Sequence, residues 1–277
     1  MPKRLRLVGK MAVVTGASRG LGQRAAVTLA EHGASFALVA RSLAGLEETL
    51  AMISSRGGRA QAFQANLGDA HVVDGLRAQI EAQLGQPSIL VNAAGVFGPI
   101  ALMQDSDPQA WLETITINTV APYLLCRAFV GGMCSLGWGR IVNFTSAASL
   151  HQPGPLNSAY GTSKAALNQL TRHLAAELEG TGVTANVIHP GDVKTAMWAE
   201  IRDDVARVEG PAGDGYRTWA QWVEATGGDD PQKAADLVLR LMSDRAATIN
   251  GRFLWIEDGL QAPIPSWGEA VDVQPWR

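Results

Sequence analysis

The chain is predicted to be a single α/β domain built on a doubly wound parallel sheet of about seven strands, a Rossmann fold. Three observations predict it. Short runs of β-branched and apolar residues alternate with longer amphipathic stretches along the sequence. The short runs are apolar at nearly every position, as strands covered on both faces require. A glycine-rich turn follows the first run and opens the first amphipathic stretch, the place where such sheets receive a phosphate group.

Strands are expected at 11–15, 35–40, 61–65, 89–92, 140–144, 184–189 and 252–256. Helices are expected at 20–32, 43–56, 69–84, 108–136, 159–179 and 231–243. Gly33 directly after His32 supplies a helix stop, and Asp230 before Pro231 a start. Right-handed strand–helix–strand units bring the strands' carboxyl ends to one edge, where ligands bind. Two stretches break the alternation: 195–228, which holds Trp198, Trp219 and Trp222, and the tail 261–277, rich in Pro and Trp. No Pro-, Gly- or Ser-rich linker divides 1–277, and no internal repeat is present.

Composition narrows the function. Of 277 residues, 47% are hydrophobic and 18% charged, with a formal net charge of −3. That balance argues against nucleic-acid binding and against a membrane-seeking surface, leaving small-molecule chemistry as the expectation. The N-terminus carries Lys3, Arg4 and Arg6, but the apolar run around Val13 and Val14 is cut by Gly16 and Arg19. With no stretch of ~20 apolar residues, neither a signal peptide nor a membrane span is read, and a cytoplasmic location is expected. Cys126 and Cys134 fall in one expected helix, roughly 12 Å apart at ~1.5 Å per residue. A disulfide needs about 7 Å or less, so two free thiols are expected.

Thr15-Gly16-Ala17-Ser18-Arg19-Gly20-Leu21-Gly22 is the glycine-rich turn. Glycines there permit a tight turn and let a pyrophosphate approach the helix N-terminus, where amides and the helix dipole favour negative charge. At the end of the second strand, an acidic residue would accept hydrogen bonds from a ribose 2′-hydroxyl. The chain has Leu38-Val39-Ala40-Arg41-Ser42 instead. Arg41 and Arg19 suit a 2′-phosphate, so NADP(H) is preferred, with NAD(H) as the alternative. Two solvated surface arginines would be the plainer explanation.

Tyr160-Gly161-Thr162-Ser163-Lys164 opens a predicted helix, and the i, i+4 spacing puts Tyr160 and Lys164 on one face. A nearby ammonium favours the phenolate and should lower a tyrosine pKa from its ordinary value of about 10. Ser146, just past the expected strand 140–144, can hydrogen-bond a substrate oxygen. Asn118 lies inside the long helix, either as a buried amide satisfied by backbone or as the holder of a water on a proton path.

Taken together, these residues resemble the short-chain dehydrogenase/reductase family, in its single-domain NADP-preferring branch. The resemblance spans about residues 8–260. It rests on the turn Thr15 to Gly22, Asn92-Ala93-Ala94-Gly95, Asn118, Ser146, Tyr160 with Lys164, and Pro190-Gly191 followed by Thr195. It implies a ketone- or aldehyde-to-alcohol oxidoreductase with Asn118, Ser146, Tyr160 and Lys164 as a catalytic tetrad. Ser146 would orient the substrate oxygen and Tyr160 would exchange the proton. Lys164 would bind the nicotinamide ribose and lower the tyrosine pKa, and Asn118 would hold a water linking Lys164 to solvent. Asn92 to Gly95 would border the adenine-ribose side, Val193 would offer backbone groups to the carboxamide, and Thr195 its hydroxyl. The resemblance also implies a homotetramer or homodimer.

Three departures stand out. Asn66-Leu67 replaces the usual acid-led pair at the adenine, Ala93 replaces an asparagine, and the interval from Ser146 to Tyr160 is one residue longer than the family's usual spacing. Met197, Trp198, Trp219 and Trp222 are candidates for an apolar substrate pocket, or else pack the loop on the core or on another subunit. His151 is read as a solvated loop residue and His189 as a strand-end structural one. The tail is expected to cover a neighbouring subunit. Alternatives are a sugar or polyol dehydrogenase, a 3-oxoacyl thioester reductase, and, outside enzymes, a non-catalytic dinucleotide sensor.

Overall fold

Seven parallel strands and one short antiparallel strand form the sheet of the computed structural model, which describes residues 7–150 and 153–256 and the backbone of 259–260. The first half runs β1 (Met11–Thr15), α1 (Gly20–Ala30), β2 (Ser35–Ala40), α2 (Leu43–Ser54), β3 (Arg59–Gln64), α3 (Val72–Leu84) and β4 (Ile89–Asn92). The second half runs α4 (Pro108–Ile115), α5 (Ala121–Ser135), β5 (Gly139–Phe144), α6 (Ser158–Glu177), β6 (Val183–His189), α7 (Ala196–Val205), α8 (Asp214–Thr226), α9 (Pro231–Leu241), β7 (Phe253–Trp255) and β8 (Gly259–Leu260). The order across the sheet is β3-β2-β1-β4-β5-β6-β7-β8, reversing direction at β1 and β4. That reversal opens a crevice at the carboxyl ends.

Alternation along each strand feeds both faces. In β1, Ala12 and Val14 pack with Leu29, Phe36 and Leu38 on one side. Met11 and Val13 pack with Val39, Leu125 and Phe129 on the other. Both sets are almost fully buried, which explains why the strands read as continuous apolar runs.

The sequence expectations hold for all seven strands, with differences at the edges. The third strand begins two residues early, after Gly57 and Gly58 turn the chain out of α2. α3 starts at Val72 rather than 69 because the Asp69 carboxylate accepts from the His71 amide at 2.9 Å, a local turn that competes with helix. β8 pairs antiparallel with β7 and was not foreseen. The long helix expected over 108–136 is interrupted by a π-helical turn, Thr116–Val120. Pro122 lies just beyond it and has no N–H for the carbonyl four residues back. The stretch 195–228 contains α7, capped by Thr195 accepting from Trp198 N at 3.3 Å, and α8, ended by left-handed Gly227. His151 and the tail 261–277 lie outside the described residues. Cys126 and Cys134 both carry free thiols on α5. Burial pushes the Cys126 thiol up to about 12, which makes it unreactive.

Candidate active site

Strand ends deliver the site. β1, β4, β5 and β6 finish side by side, and the loops after them surround a cavity of about 650 Å³. After β1, Gly16 has φ +64°, and a Cβ on it would stand 2.8 Å from Ala94 N. A Cβ on Gly22 would stand 2.4 Å from Gly16 O. The turn is therefore packed directly on the loop after β4. Thr15 Oγ1 ties the two together by accepting from Ala93 N and Ala94 N, each at 3.2 Å. No side chain caps the first turn of α1, whose N-cap is Arg19, and Gly20 has open space where a Cβ would be. Uncapped amides behind a bare backbone fit the pyrophosphate of a dinucleotide.

Deeper in the crevice lie Ser146, Tyr160 and Lys164, brought to the cavity from β5 and α6. Ser146, two residues past β5, lines the cavity with Tyr160 and accepts from Ala148 N at 3.2 Å. The Tyr160 ring stacks on Phe97 with centroids 4.7 Å apart. Lys164 is 4% exposed and donates to the Phe144 carbonyl at 2.9 Å. Its ammonium lies 5.5 Å from the Tyr160 ring centroid.

Burial governs both protonation states. It pushes the Tyr160 phenol up to about 12; the Ser146 hydrogen bond opposes this, while Tyr216 and Asp192 add to it. It pushes the Lys164 ammonium down to about 8. The expectation of a lowered tyrosine pKa is therefore corrected: desolvation outweighs the lowering influence of Ser146.

Asn118 is fully buried in the π turn, behind the cavity wall. Its Oδ1 accepts from Val96 N at 2.9 Å, and its Nδ2 donates to Val96 O at 2.8 Å and Ser163 Oγ at 3.0 Å. The carboxamide is thus committed to these partners, not turned to Lys164. Gly95 separates the two: a Cβ there would lie 3.2 Å from Asn118 Oδ1 and 3.6 Å from Lys164 Nζ. Pro122 denies the Asn118 carbonyl its α-helical donor.

Several expected residues sit elsewhere. Asn92 points into the sheet, donating to Asn143 Oδ1 at 2.8 Å, so its side chain does not border the cavity although Ala93 and Gly95 do. Leu67 is buried in the core. Asn66 is exposed and accepts from Gly68 N at 3.1 Å. Arg41 is exposed at the end of β2. Arg19 is exposed and pairs with Glu200 of α7 at 3.4 Å. Ser18 meets α2, where a Cβ on Gly45 would fall 2.8 Å from Ser18 Cβ. That contact sets the β1–α1 turn beside the residues following Arg41.

Leu21, Pro190, Gly191, Val193 and Thr195 all border the cavity. Gly191 has φ +82°, and a Cβ there would strike Asp229 Oδ2 at 2.6 Å. Met197, Trp198 and Trp219 line the cavity, whereas Trp222 is 48% exposed on the outside of α8. His189 lines the cavity, accepts from Ala147 N at 3.2 Å and packs edge-on against Trp255. Sequence reasoning overlooked Phe97, Asn157 and Tyr216. Tyr216 and Trp219, three residues apart on α8, share a face, a spacing that was available to be read.

Known proteins agree with this architecture. A short chain dehydrogenase family profile matches residues 10–206. D-threitol dehydrogenase of Mycolicibacterium smegmatis is 34% identical over 257 residues, covering 92% of this chain and 94% of the relative. The crystal structure of an NAD+-bound xylitol dehydrogenase superposes with a TM-score of 0.81 at 26% identity, over 90% of this chain and 98% of that one. A metagenomic short-chain oxidoreductase in complex with NADP gives 0.68 at 30% identity, over 85% and 91%. On the profile, the identity and the shared fold, the chain belongs to the short chain dehydrogenase family of oxidoreductases acting on CH–OH groups.

Proposed function

We propose that this oxidoreductase reduces a small ketone or aldehyde to the alcohol with NADPH, and that Tyr160 gives the proton. The observation that carries the reading is the Ser146–Tyr160 pair inside the cavity, with buried Lys164 beside it. The cofactor supplies the hydride when bound. Ser146 orients the substrate oxygen. Burial keeps the Tyr160 phenol protonated at neutral pH, the state a proton donor needs. Lys164, anchored on Phe144 O, has remaining N–H groups for the nicotinamide ribose and for passing a proton to Tyr160. Asn118 acts by position. Its carboxamide clamps Val96 to Ser163, and its carbonyl, without a donor from Pro122, is the acceptor for a water reaching Lys164.

The turn Gly16 to Gly22 would hold the pyrophosphate, and Val193 and Thr195 the carboxamide end. NADPH is favoured over NADH because β2 ends in Arg41 without an acid, with Arg19 in the turn. The likeness to proteins bound to NAD+ and to NADP supports a nicotinamide dinucleotide of either kind. A second reading, oxidation of a polyol, draws on the likeness to threitol and xylitol dehydrogenases and uses the same residues in reverse. The reading includes a cytoplasmic location and a homotetramer or homodimer. For the latter, Leu112 of α4 and Tyr123 of α5 offer exposed apolar surface. Among the described residues no helix is long and apolar enough to cross a membrane.

The test is fluorescence titration with NADPH and then NADH. Tight NADPH binding with weak NADH binding is expected; the reverse order would overturn the cofactor assignment.

A further inference from the structure

Among the described residues that line the cavity, Lys164 and Asp192 are the two that carry a full charge. Lys164 is committed to the Phe144 carbonyl. Asp192, in the loop after β6, has no part in the proton path. Its main chain is held by Asp229 alone: Asp192 N donates to Asp229 Oδ2 at 2.8 Å, and Asp192 O accepts from Asp229 N at 3.0 Å. The bridge from Val193 to Gly228 fixes the same loop. With its backbone polar groups engaged, what Asp192 has left to offer is its carboxylate.

Asp192 is half-buried, and its carboxylate oxygens are accessible and meet no donor among the described residues. The nearby cations are engaged elsewhere. Lys194 pairs with Glu224 at 2.9 Å, and Lys233 lies 4.0 Å from Asp229. A partly desolvated carboxylate without a cation is unfavourable, so its place on a cavity wall suits a cation that arrives with the ligand. Its charge also reaches the reacting centre, where it adds to the upward push on the Tyr160 phenol. The wall around it is aromatic. Phe97 lies between Tyr160 and Tyr216, with centroids 4.7 Å from the first and 5.9 Å, edge-on, from the second. Trp219, one turn after Tyr216 on α8, joins them at the cavity. Aromatic faces attract cations, more strongly where water is excluded. One carboxylate among aromatic rings therefore complements an ammonium and repels an acidic substrate.

We propose that the cavity selects a carbonyl substrate bearing a basic amine, and that Asp192 reads its ammonium while Phe97, Tyr216 and Trp219 flank it. The substrate class is then amino ketones and the amino alcohols derived from them. The inference rests on the reading that Ser146 and Tyr160 hold the reacting carbonyl.

The probes are 5-(dimethylamino)pentan-2-one, protonated at neutral pH, and its neutral isostere 6-methylheptan-2-one. Each is reduced with NADPH by the wild type, Asp192→Asn and Asp192→Glu. The quantity read is the ratio of kcat/KM for the amino ketone to that for the isostere, so the intrinsic reactivity of each ketone cancels between enzymes. The wild type should favour the amino ketone. Asp192→Asn keeps the size and removes the charge, and its ratio should fall about tenfold or more, mainly through KM. Asp192→Glu, which keeps the charge, should stay above it. NADPH titration and a melting curve check that each variant is folded. A wild type that prefers the neutral ketone, an unchanged ratio in Asp192→Asn, or an equal loss in both variants overturns the proposal and leaves ketone reduction standing. So does a wild type that turns over neither ketone, since Asp192 then serves no reacting carbon. Full turnover of 6-methylheptan-2-one by Tyr160→Phe would instead overturn the proton-donor reading.

Discussion

Tyr160 and Lys164 stand one turn apart on α6, and burial moves each away from its ordinary protonation, the phenol up to about 12 and the ammonium down to about 8. Of the two, only Lys164 changes charge near the working pH. Reduction should therefore hold level below about pH 8 and decline as pH rises through it, when Lys164 loses its proton. Lys164→Arg keeps the charge because a guanidinium does not titrate in this range. Its decline should shift to higher pH, at some loss of kcat from the larger group. A decline that stays near pH 8 in the variant assigns that ionisation to another residue. Tyr160→Phe deletes the proton-bearing oxygen, so turnover should drop about 10²–10⁴-fold while NADPH binding is retained. The i, i+4 spacing revealed that the two residues share a face. It carried no information on depth, and depth set the direction of the tyrosine shift.

The π turn between α4 and α5 shows how much an element hides within a helical pattern. Asn118 was legible as a residue, but the apolar periodicity over 108–136 reads the same with or without one extra residue in a turn. The signal was Pro122, which denies an N–H to the Asn118 carbonyl. Pro122→Ala restores that donor and should let the α-helical bond close on the carbonyl. The expected outcome is a fall in kcat of about tenfold with no loss of thermal stability, since alanine is the better helix former. Stopped-flow turnover and a melting curve would check both; unchanged kcat would detach the carbonyl from the proton path. The helices α7 and α8 were hidden for a different reason. Their tryptophans were noticed, but Trp219 and Trp222 are three residues apart on α8, a spacing that does not separate them, and only packing distinguishes Trp198 and Trp219, which line the cavity, from exposed Trp222.

Across the whole molecule, the sheet and its active edge were legible because a parallel sheet covered on both sides demands apolar strands, and their carboxyl ends then share an edge. The two-residue β8 depends on where the chain turns after β7, which no local pattern records. The same holds for contacts between distant parts, of which Arg19 and Glu200 are the instructive pair. They join the cofactor turn to α7 at 3.4 Å, with side chains 67% and 63% exposed. An ion pair so exposed contributes little to stability, but it engages the guanidinium that the NADPH reading assigns to the 2′-phosphate. Glu200→Gln should release Arg19 and tighten NADPH binding by a few-fold, leaving NADH binding as it was. Arg41→Asp should act in the opposite sense, weakening NADPH relative to NADH by about tenfold or more through loss of a charge-assisted contact and added repulsion. Fluorescence titration of both cofactors against both variants separates the contributions. If Glu200→Gln strengthened NADH as much as NADPH, the ion pair would be holding α7 rather than competing with a phosphate, and the charge preference would rest on Arg41 alone.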